Sequence, residues 1–382
     1  MTQKMVALTF DSSREDWSNS TGLVKEIIPI PSLKETERDC VIIKVHYAGF
    51  CGSDRGIWWR KAFGDMILES LNEEKKTKRT VGHEFLGEIV ECGGDVTRVG
   101  LGDMVAAESH IVCGTCLQCL NNEYHVCAKD KIIGISHNGC FAEYIKLPAK
   151  CLWPTDLNKI RPEVAAIQEP FGNAVHACQQ TDLRGKSVVI IGCGTIGLFA
   201  ILIAKGMGAQ HVIGIDIDPH HAALAKELGC DLVLIPEGTT AEPWRADPNL
   251  VSQVLDATTG LGVDVAFEMV GLNSALNNSI QMTRRGGHVV LFGVRNGDVV
   301  VEDYHRLVMN GIQLHGVVGR RIFDTWEITK ALLEDQSNGI QDAIYNIILN
   351  KGEGSIVGIQ EWEQSPFEDI ISQHPKPIIK FI

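Results

Sequence analysis

At 382 residues the chain has the length of two folded domains, and 45% hydrophobic with 22% charged residues is a globular composition. The formal net charge of −13, with the acids scattered, offers no basic footprint, so neither nucleic acid nor an anionic membrane is expected as a partner. The opening MTQKMVALTFDSSRED lacks the apolar core of a signal peptide, and the longest apolar run, near LFAILIA, is far short of a span, so a cytoplasmic location with reduced thiols is expected.

In chain order, DCVIIKVHYA at 39–48 reads as a β-branched strand. GFCGSDRG follows and carries Cys51 and Ser53. The segment NEEKKTKR at 72–79 reads as a solvated loop or frayed helix. VGHEFLGEIVECG at 81–93 reads as a second strand, entered through a glycine turn and carrying His83 and Glu84. Next comes ESHIVCGTCLQCLNNEYHVCAKD at 108–130, with Cys113, Cys116, Cys119 and Cys127 in the pattern C-x2-C-x2-C-x7-C. In a reducing compartment four such thiols suit a closed tetrahedral zinc, with an iron–sulfur cluster as the alternative that spacing leaves open. CFAEYIKLPAK at 140–150 resembles a further strand, and the glycine- and proline-rich first part as a whole reads as a small all-β domain.

Near residue 161 the pattern changes. RPEVAAIQEPFGNAVHACQQ suits helices and carries Glu169. From SVVIIG at 187–192 onward, strand-like runs alternate with helical stretches: HVIGID, DLVLIP, VDVAFEMV, HVVLFG and IQLHGVVG, with SALNNSIQMTRR at 274–285 as one intervening helix. That alternation is expected to give a parallel sheet covered on both faces, in a doubly wound dinucleotide fold. SVVIIG runs directly into GCGTIG, so Gly192, Gly194 and Gly197 form G-x-G-x-x-G after a strand and at the start of a helix. Asp216, nineteen residues beyond Gly197 at the end of the next strand, suits a ribose diol and repels a 2′-phosphate, favouring NAD over NADP.

Cys51, His83, Glu84 and Glu169 come from three separate fragments. A thiolate, an imidazole and a carboxylate make a suitable shell for an open, catalytic zinc. Spacing alone equally allows a buried thiol, a core histidine and two solvated acids. CGSD, GHExxG, the four-cysteine loop and GCGTIG with its acid also occur in the order found in the zinc-dependent medium-chain alcohol dehydrogenase family. From about residue 20 to the end the chain resembles that family. ESHIVCGTCLQC, GCFAEYIKLPA, EPFGNAVH, FEMVG and GRRIFDTW resemble its threonine-dehydrogenase branch.

The resemblance implies an α/β fold. Residues 1–170 would form a GroES-like β-barrel catalytic domain with a zinc lobe at 108–130, residues 171–318 a Rossmann domain, and residues 319–382 a return to the catalytic domain. Cys51 and His83 would ligate a catalytic zinc, with Glu84 and Glu169 as ligands or close partners. Cys113, Cys116, Cys119 and Cys127 would hold a structural zinc, making two zinc ions per chain. Ser53 would relay the proton of a bound alcohol. Thr195, Ile196, Phe292, Gly293, Val294, Val317 and Val318 would line NAD beside the glycine motif. The implied partner is a small-molecule alcohol, and the implied assembly is a homo-oligomer, a tetramer. A sugar or polyol dehydrogenase of the same family is the alternative, and a non-catalytic NAD-binding protein is the alternative of another class. One departure bears on the substrate: many family members carry a relay histidine shortly after the CxxD segment, where this chain has Arg55 and Gly56. Trp58 and Trp59 follow and are candidates for walling the pocket, while Arg320 and Arg321 suit a substrate carboxylate or an ion pair between subunits.

Overall fold

The computed structural model describes residues 3–237 and 242–382. Two compact units emerge: the chain up to Pro170 together with Arg321–Ile382, and Phe171–Arg320.

The first unit is built around the strand Cys40–Gly49. It pairs antiparallel with Glu84–Cys92, with Tyr144–Pro148 and with Ile378–Lys380, so the segment after the second unit returns onto a strand of the first. The seven-stranded sheet thus formed is joined by a three-stranded one, Val24–Pro29, Lys4–Asp11 and Lys78–Thr80. Burial of Ile43, Val45, Phe50, Phe85 and Phe141 supplies the core. Phe50 stacks on Phe141 at 5.7 Å and meets Trp58 edge-on at 6.0 Å. Trp58 is fully buried in this core, so it does not wall a pocket; Trp59, at the end of the same short helix, remains exposed. NEEKKTKR is not a solvated loop throughout. It closes the helix Gly64–Glu74 and enters the strand Lys78–Thr80. There Arg79 is fully buried because Ser70, Glu74 and Asn138 accept its hydrogen bonds.

Among the described residues, the second unit holds six parallel strands: Ser187–Ile191, His211–Ile215, Leu232–Leu234, Val263–Glu268, Thr283–Leu291 and Gln313–Gly316. Their spatial order is 3-2-1-4-5-6. That is the dinucleotide-binding order, with its switch point between the first and fourth strands. The strand cores are continuous apolar runs such as Val188–Ile191, as a sheet covered on both faces requires. The helix expected at 274–285 ends at Met282, and its last three residues begin the next strand. Asp264 on the neighbouring strand accepts from Arg284 Nε at 2.7 Å, which draws that segment onto the sheet.

Candidate metal sites and dinucleotide site

The first site is assembled at the ends of two strands of the first unit. Gly82 sits at φ 89°, where a Cβ would strike the Phe141 ring at 2.3 Å, and this turn delivers His83 and Glu84 into the strand. Cys51 caps the helix Gly52–Trp58. Asp54, three residues on, accepts from the Cys51 N–H at 2.9 Å, so CGSD is a capping box as well as a ligand motif. The ligand atoms of Cys51, His83 and Glu84 all lie within 4.8 Å of one another. His83 and Glu84 are buried, and Cys51 is half-buried.

Each of these residues has a supporting neighbour. Asp54 Oδ1 stands 3.6 Å from His83 Nδ1, leaving Nε2 facing Ser53 Oγ at 3.4 Å. At that distance the carboxylate acts on the imidazole as a neighbouring charge; neither Asp54 Oδ1 nor His83 Nδ1 has a hydrogen-bond partner. Burial pushes Asp54 up to about 6 against the pull of His83. His83 itself is held well above the usual imidazole value, because Asp54, Cys51 and Glu169 outweigh the opposing effect of burial. Glu169, in the helix Gln168–Cys178, lies outside the three-residue group; it is buried, and its Oε1 accepts from Ser109 Oγ at 2.7 Å. Glu84 is otherwise engaged: both its oxygens accept from Lys376 Nζ, at 2.9 and 2.8 Å. Soft sulfur, nitrogen and oxygen donors converging at this spacing fit a zinc ion, with Glu84 in reach but tied to an ammonium.

The second group is the cysteine loop. Sulfur–sulfur separations are 4.0 Å for Cys113 to Cys119, 3.8 Å for Cys116 to Cys127 and 3.6 Å for Cys113 to Cys127. A tetrahedron with 2.3 Å metal–sulfur arms has edges of about 3.8 Å, so the four thiols fit a closed zinc shell. Backbone N–H groups of Thr115 and Cys116 donate to Cys113 Sγ at 3.4 and 3.3 Å. The Thr115 N–H, foremost, lowers that thiol to about 5, toward the thiolate that a metal needs. Paired strands His110–Ile111 and Lys131–Ile132 close the loop at its base, with a 2.5 Å contact between His110 Nδ1 and Asp130 Oδ2.

The third site lies in the second unit, at the carboxyl ends of its strands. A Cβ on Gly197 would stand 1.9 Å from the Gly192 carbonyl oxygen, whereas one on Gly194 would meet nothing within 4 Å. The helix Thr195–Gly206 is therefore packed hard against the turn, and the space over Gly194 is the open cradle a pyrophosphate would fill. Asp216 reaches back to this turn: Oδ2 accepts from the Cys193 N–H at 2.6 Å, and Oδ1 from the Asp218 N–H at 2.8 Å. Burial works against its ionisation, but His221 and these two N–H groups outweigh it and hold the carboxyl below the usual range. Phe292 and Gly293 follow the fifth strand, where both N–H groups donate to the Glu268 carbonyl at 3.0 Å. Val317 is buried after the sixth strand, and Val294 and Val318 are exposed. Arg320 is buried in this unit and donates to Asn173 Oδ1 at 2.7 Å.

Reading residue types and spacings did not single out Asp54, Ser109 or Lys376. Asp54 had a signal, since C-x-x-D has the spacing of a capping box. Ser109 and Lys376 had none, because each reaches its partner only through long-range folding, 60 and 292 residues apart in the chain.

An open sulfur–nitrogen–oxygen site, a closed four-thiol site and a dinucleotide cradle on a 3-2-1-4-5-6 sheet together define an alcohol dehydrogenase that binds zinc. The chain belongs to that family: residues 37–157 match the alcohol dehydrogenase GroES-like domain and residues 195–335 the zinc-binding dehydrogenase domain. It is accordingly an oxidoreductase acting on CH–OH donors. Among curated relatives it is 39% identical to the L-threonine 3-dehydrogenase of Bacillus velezensis, over 83% of this chain and 86% of that one. It is 34% identical to the L-threonine 3-dehydrogenase of Pyrococcus furiosus, over 90% and 91%. Among solved structures, an alcohol dehydrogenase from Thermus sp. ATN1 superposes with a TM-score of 0.80 at 23% identity, covering 98% of this chain and 99% of that one. The 2R,3R-butanediol dehydrogenase of Bacillus subtilis gives 0.78 at 22%, covering 99% and 100%. At these identities the structural likeness speaks to the fold alone. Among the described residues, no helix is long and apolar enough to cross a membrane.

Proposed function

We infer that the protein oxidises the secondary alcohol of L-threonine, or of a close amino-alcohol, to the ketone, giving 2-amino-3-ketobutyrate from threonine, with NAD as hydride acceptor. The observation that carries this reading is the similarity, along most of the chain, to several L-threonine 3-dehydrogenases at 34–39% identity. Cys51 and His83 would hold a catalytic zinc, with Glu84 and Glu169 as ligands or close partners, and Cys113, Cys116, Cys119 and Cys127 would hold a structural one. Bound at the first site, zinc would supply a Lewis acid that makes a substrate hydroxyl more acidic, and bound NAD would supply the hydride acceptor. Ser53, with its hydroxyl 3.4 Å from His83 Nε2, is the group placed to accept and pass on the substrate proton. Asp54 acts on the imidazole as a neighbouring negative charge. Gly192 makes the turn and Gly197 the close packing beneath it, Gly194 and Thr195 receive the pyrophosphate, Asp216 the ribose, and Ile196, Phe292, Gly293, Val294, Val317 and Val318 the remainder of NAD. The acid at 216 disfavours NADP.

Residues 1–170 and 319–382 form the catalytic domain in this reading, and 171–318 the Rossmann domain. A cytoplasmic location, where thiols stay reduced, suits a loop that gathers four cysteines for a metal. Association into a homo-oligomer is supported by exposed Leu314 on the edge strand Gln313–Gly316 and by exposed Tyr304, Val308 and Met309 on the helix before it.

The sugar or polyol reading keeps one supporting observation: Arg55 and Gly56 stand where the relay histidine is found in many relatives. A panel of L-threonine, L-serine, 2,3-butanediol, glucose and polyols, followed by NADH absorbance at alkaline pH, separates the two. Turnover of threonine with none of sugars is expected; turnover of sugars alone refutes the threonine assignment.

A further inference from the structure

In the second unit the strands Thr283–Leu291 and Gln313–Gly316 run parallel, with His288 opposite Gln313 and His315 opposite Val290. Side chains alternate between the two faces of a sheet, so these four residues share one face and the histidines stand diagonally across the pair. Their rings meet: His288 Nδ1 and His315 Nε2 are 3.0 Å apart, and the ring centroids 5.2 Å. Both residues are half-buried, and among the described residues Gln313–Gly316 has a strand on one side only. His288 is held below the usual imidazole value, by burial first and then by His315, Arg284 and Lys186, against the pull of Asp264. Asp264 is engaged elsewhere: it accepts from Ser187 and Arg284 and has Lys186 Nζ at 3.7 Å. The two cations thus favour a neutral His288 ring, the form in which an imidazole has a lone pair to give. Neither histidine belongs to the zinc sites or to the dinucleotide cradle.

We propose that His288 and His315 form a further divalent-metal site, one that clips the edge strand to the sheet and takes nickel(II) or copper(II) in preference to zinc(II). Metal–nitrogen arms of about 2.1 Å span about 3.0 Å where they meet at a right angle and about 3.4 Å at a tetrahedral angle. The 3.0 Å between the facing nitrogens is the right-angle bite, which suits six-coordinate or tetragonal ions, with water completing the shell. In the metal-free pair one ring N–H donates to the other ring. On binding, that proton moves to the outer nitrogen of its own ring, and a turn of both rings directs the two freed lone pairs at one ion, with no net proton released. Arg284 and Lys186 repel a dication, so this position holds its ion less tightly than four thiolates would.

The test uses the full purified chain, without a histidine tag and with its resident metal in place. Calorimetric titration with nickel(II) should show one added ion per chain with no zinc released, and zinc(II) should bind there more weakly. Free nickel(II) at about a hundredfold its dissociation constant should raise the melting midpoint by about 5 °C or more. His288→Gln and His315→Gln should each weaken uptake by about tenfold or more and remove that rise. With copper(II), the paramagnetic resonance spectrum of the wild type should be tetragonal with splitting from two imidazole nitrogens; this reading needs no variant and decides the matter if neither variant folds. Absence of uptake, uptake undiminished in either variant, tighter binding of zinc(II) than of nickel(II), or a copper signal without two nitrogens overturns the inference.

Discussion

Gly194 and Gly197 are three residues apart, and alanine should affect them in opposite ways. At Gly194 the backbone is extended, φ −67° and ψ −172°, a conformation open to alanine, and the added methyl meets no atom within 4 Å. Stability should change by less than about 1 kcal/mol, since a poorer helix cap is offset by a less flexible unfolded chain. Yet the methyl occupies the space into which a pyrophosphate must come to reach the helix N-terminus. Loss of even one charge-assisted hydrogen bond there, about 1.5–3 kcal/mol, weakens NAD binding by about tenfold or more. At Gly197 the methyl would sit 1.9 Å from a backbone carbonyl, so helix and turn must separate. Overpacking of this kind costs about 1–3 kcal/mol, against about 1 kcal/mol gained in helix propensity. A net loss near 1 kcal/mol lowers the melting midpoint by about 2–4 °C. Calorimetric titration with NAD and thermal melts of both variants provide the assay. Gly194→Ala with unweakened NAD binding, or Gly197→Ala with an unshifted melt, would refute the assignment of this turn as a packed dinucleotide cradle.

Other perturbations probe separate parts of the molecule. Asp216→Asn should raise the ratio of NADP to NAD turnover by about tenfold, because the carboxylate that repels a 2′-phosphate is removed; an unchanged ratio would place cofactor choice elsewhere. Cys116→Ala should release metal and lower the unfolding midpoint by about 5 °C or more, whereas a full metal complement with an unchanged melt would contradict a zinc-braced lobe. Asp264 is held below the usual carboxylate range: burial opposes this, but the Ser187 N–H and hydroxyl and the Arg284 guanidinium outweigh it. A depressed acid stabilises the fold above its unfolded value, and that contribution is lost as pH falls through its folded one. Asp264→Asn should therefore cost about 1 kcal/mol at neutral pH and flatten the loss of stability below pH about 4; an acid limb as steep as the wild type's would count against it.

The parts legible in the sequence were those written in local spacing. Three glycines after an apolar strand announce the turn they form, and thiols at C-x2-C-x2-C close into a tetrahedron without help from distant residues. Strand–helix alternation likewise announces the parallel sheet. What stayed hidden depends on contacts across the chain. Arg79 reads as one more basic residue in a charged run until Ser70, Glu74 and Asn138 are seen around it. Trp58 lies seven residues from a ligand, yet it faces the core formed by Phe50, Trp362 and Phe367. Lys376 is one of thirty-five basic residues, and only the antiparallel return of Ile378–Lys380 onto Cys40–Gly49 carries it to Glu84. The helix that was read through to residue 285 stops at 282, because sheet pairing outweighs the propensity of Thr-Arg-Arg.

Metal content tests most directly for two metal sites of different character in one chain. Elemental analysis of purified, active wild type should give two zinc ions per chain, and Cys51→Ser should give one, with activity lost and NAD binding kept. A wild type that turns over alcohols with no bound transition metal, or a Cys51→Ser variant that keeps both ions, would contradict it.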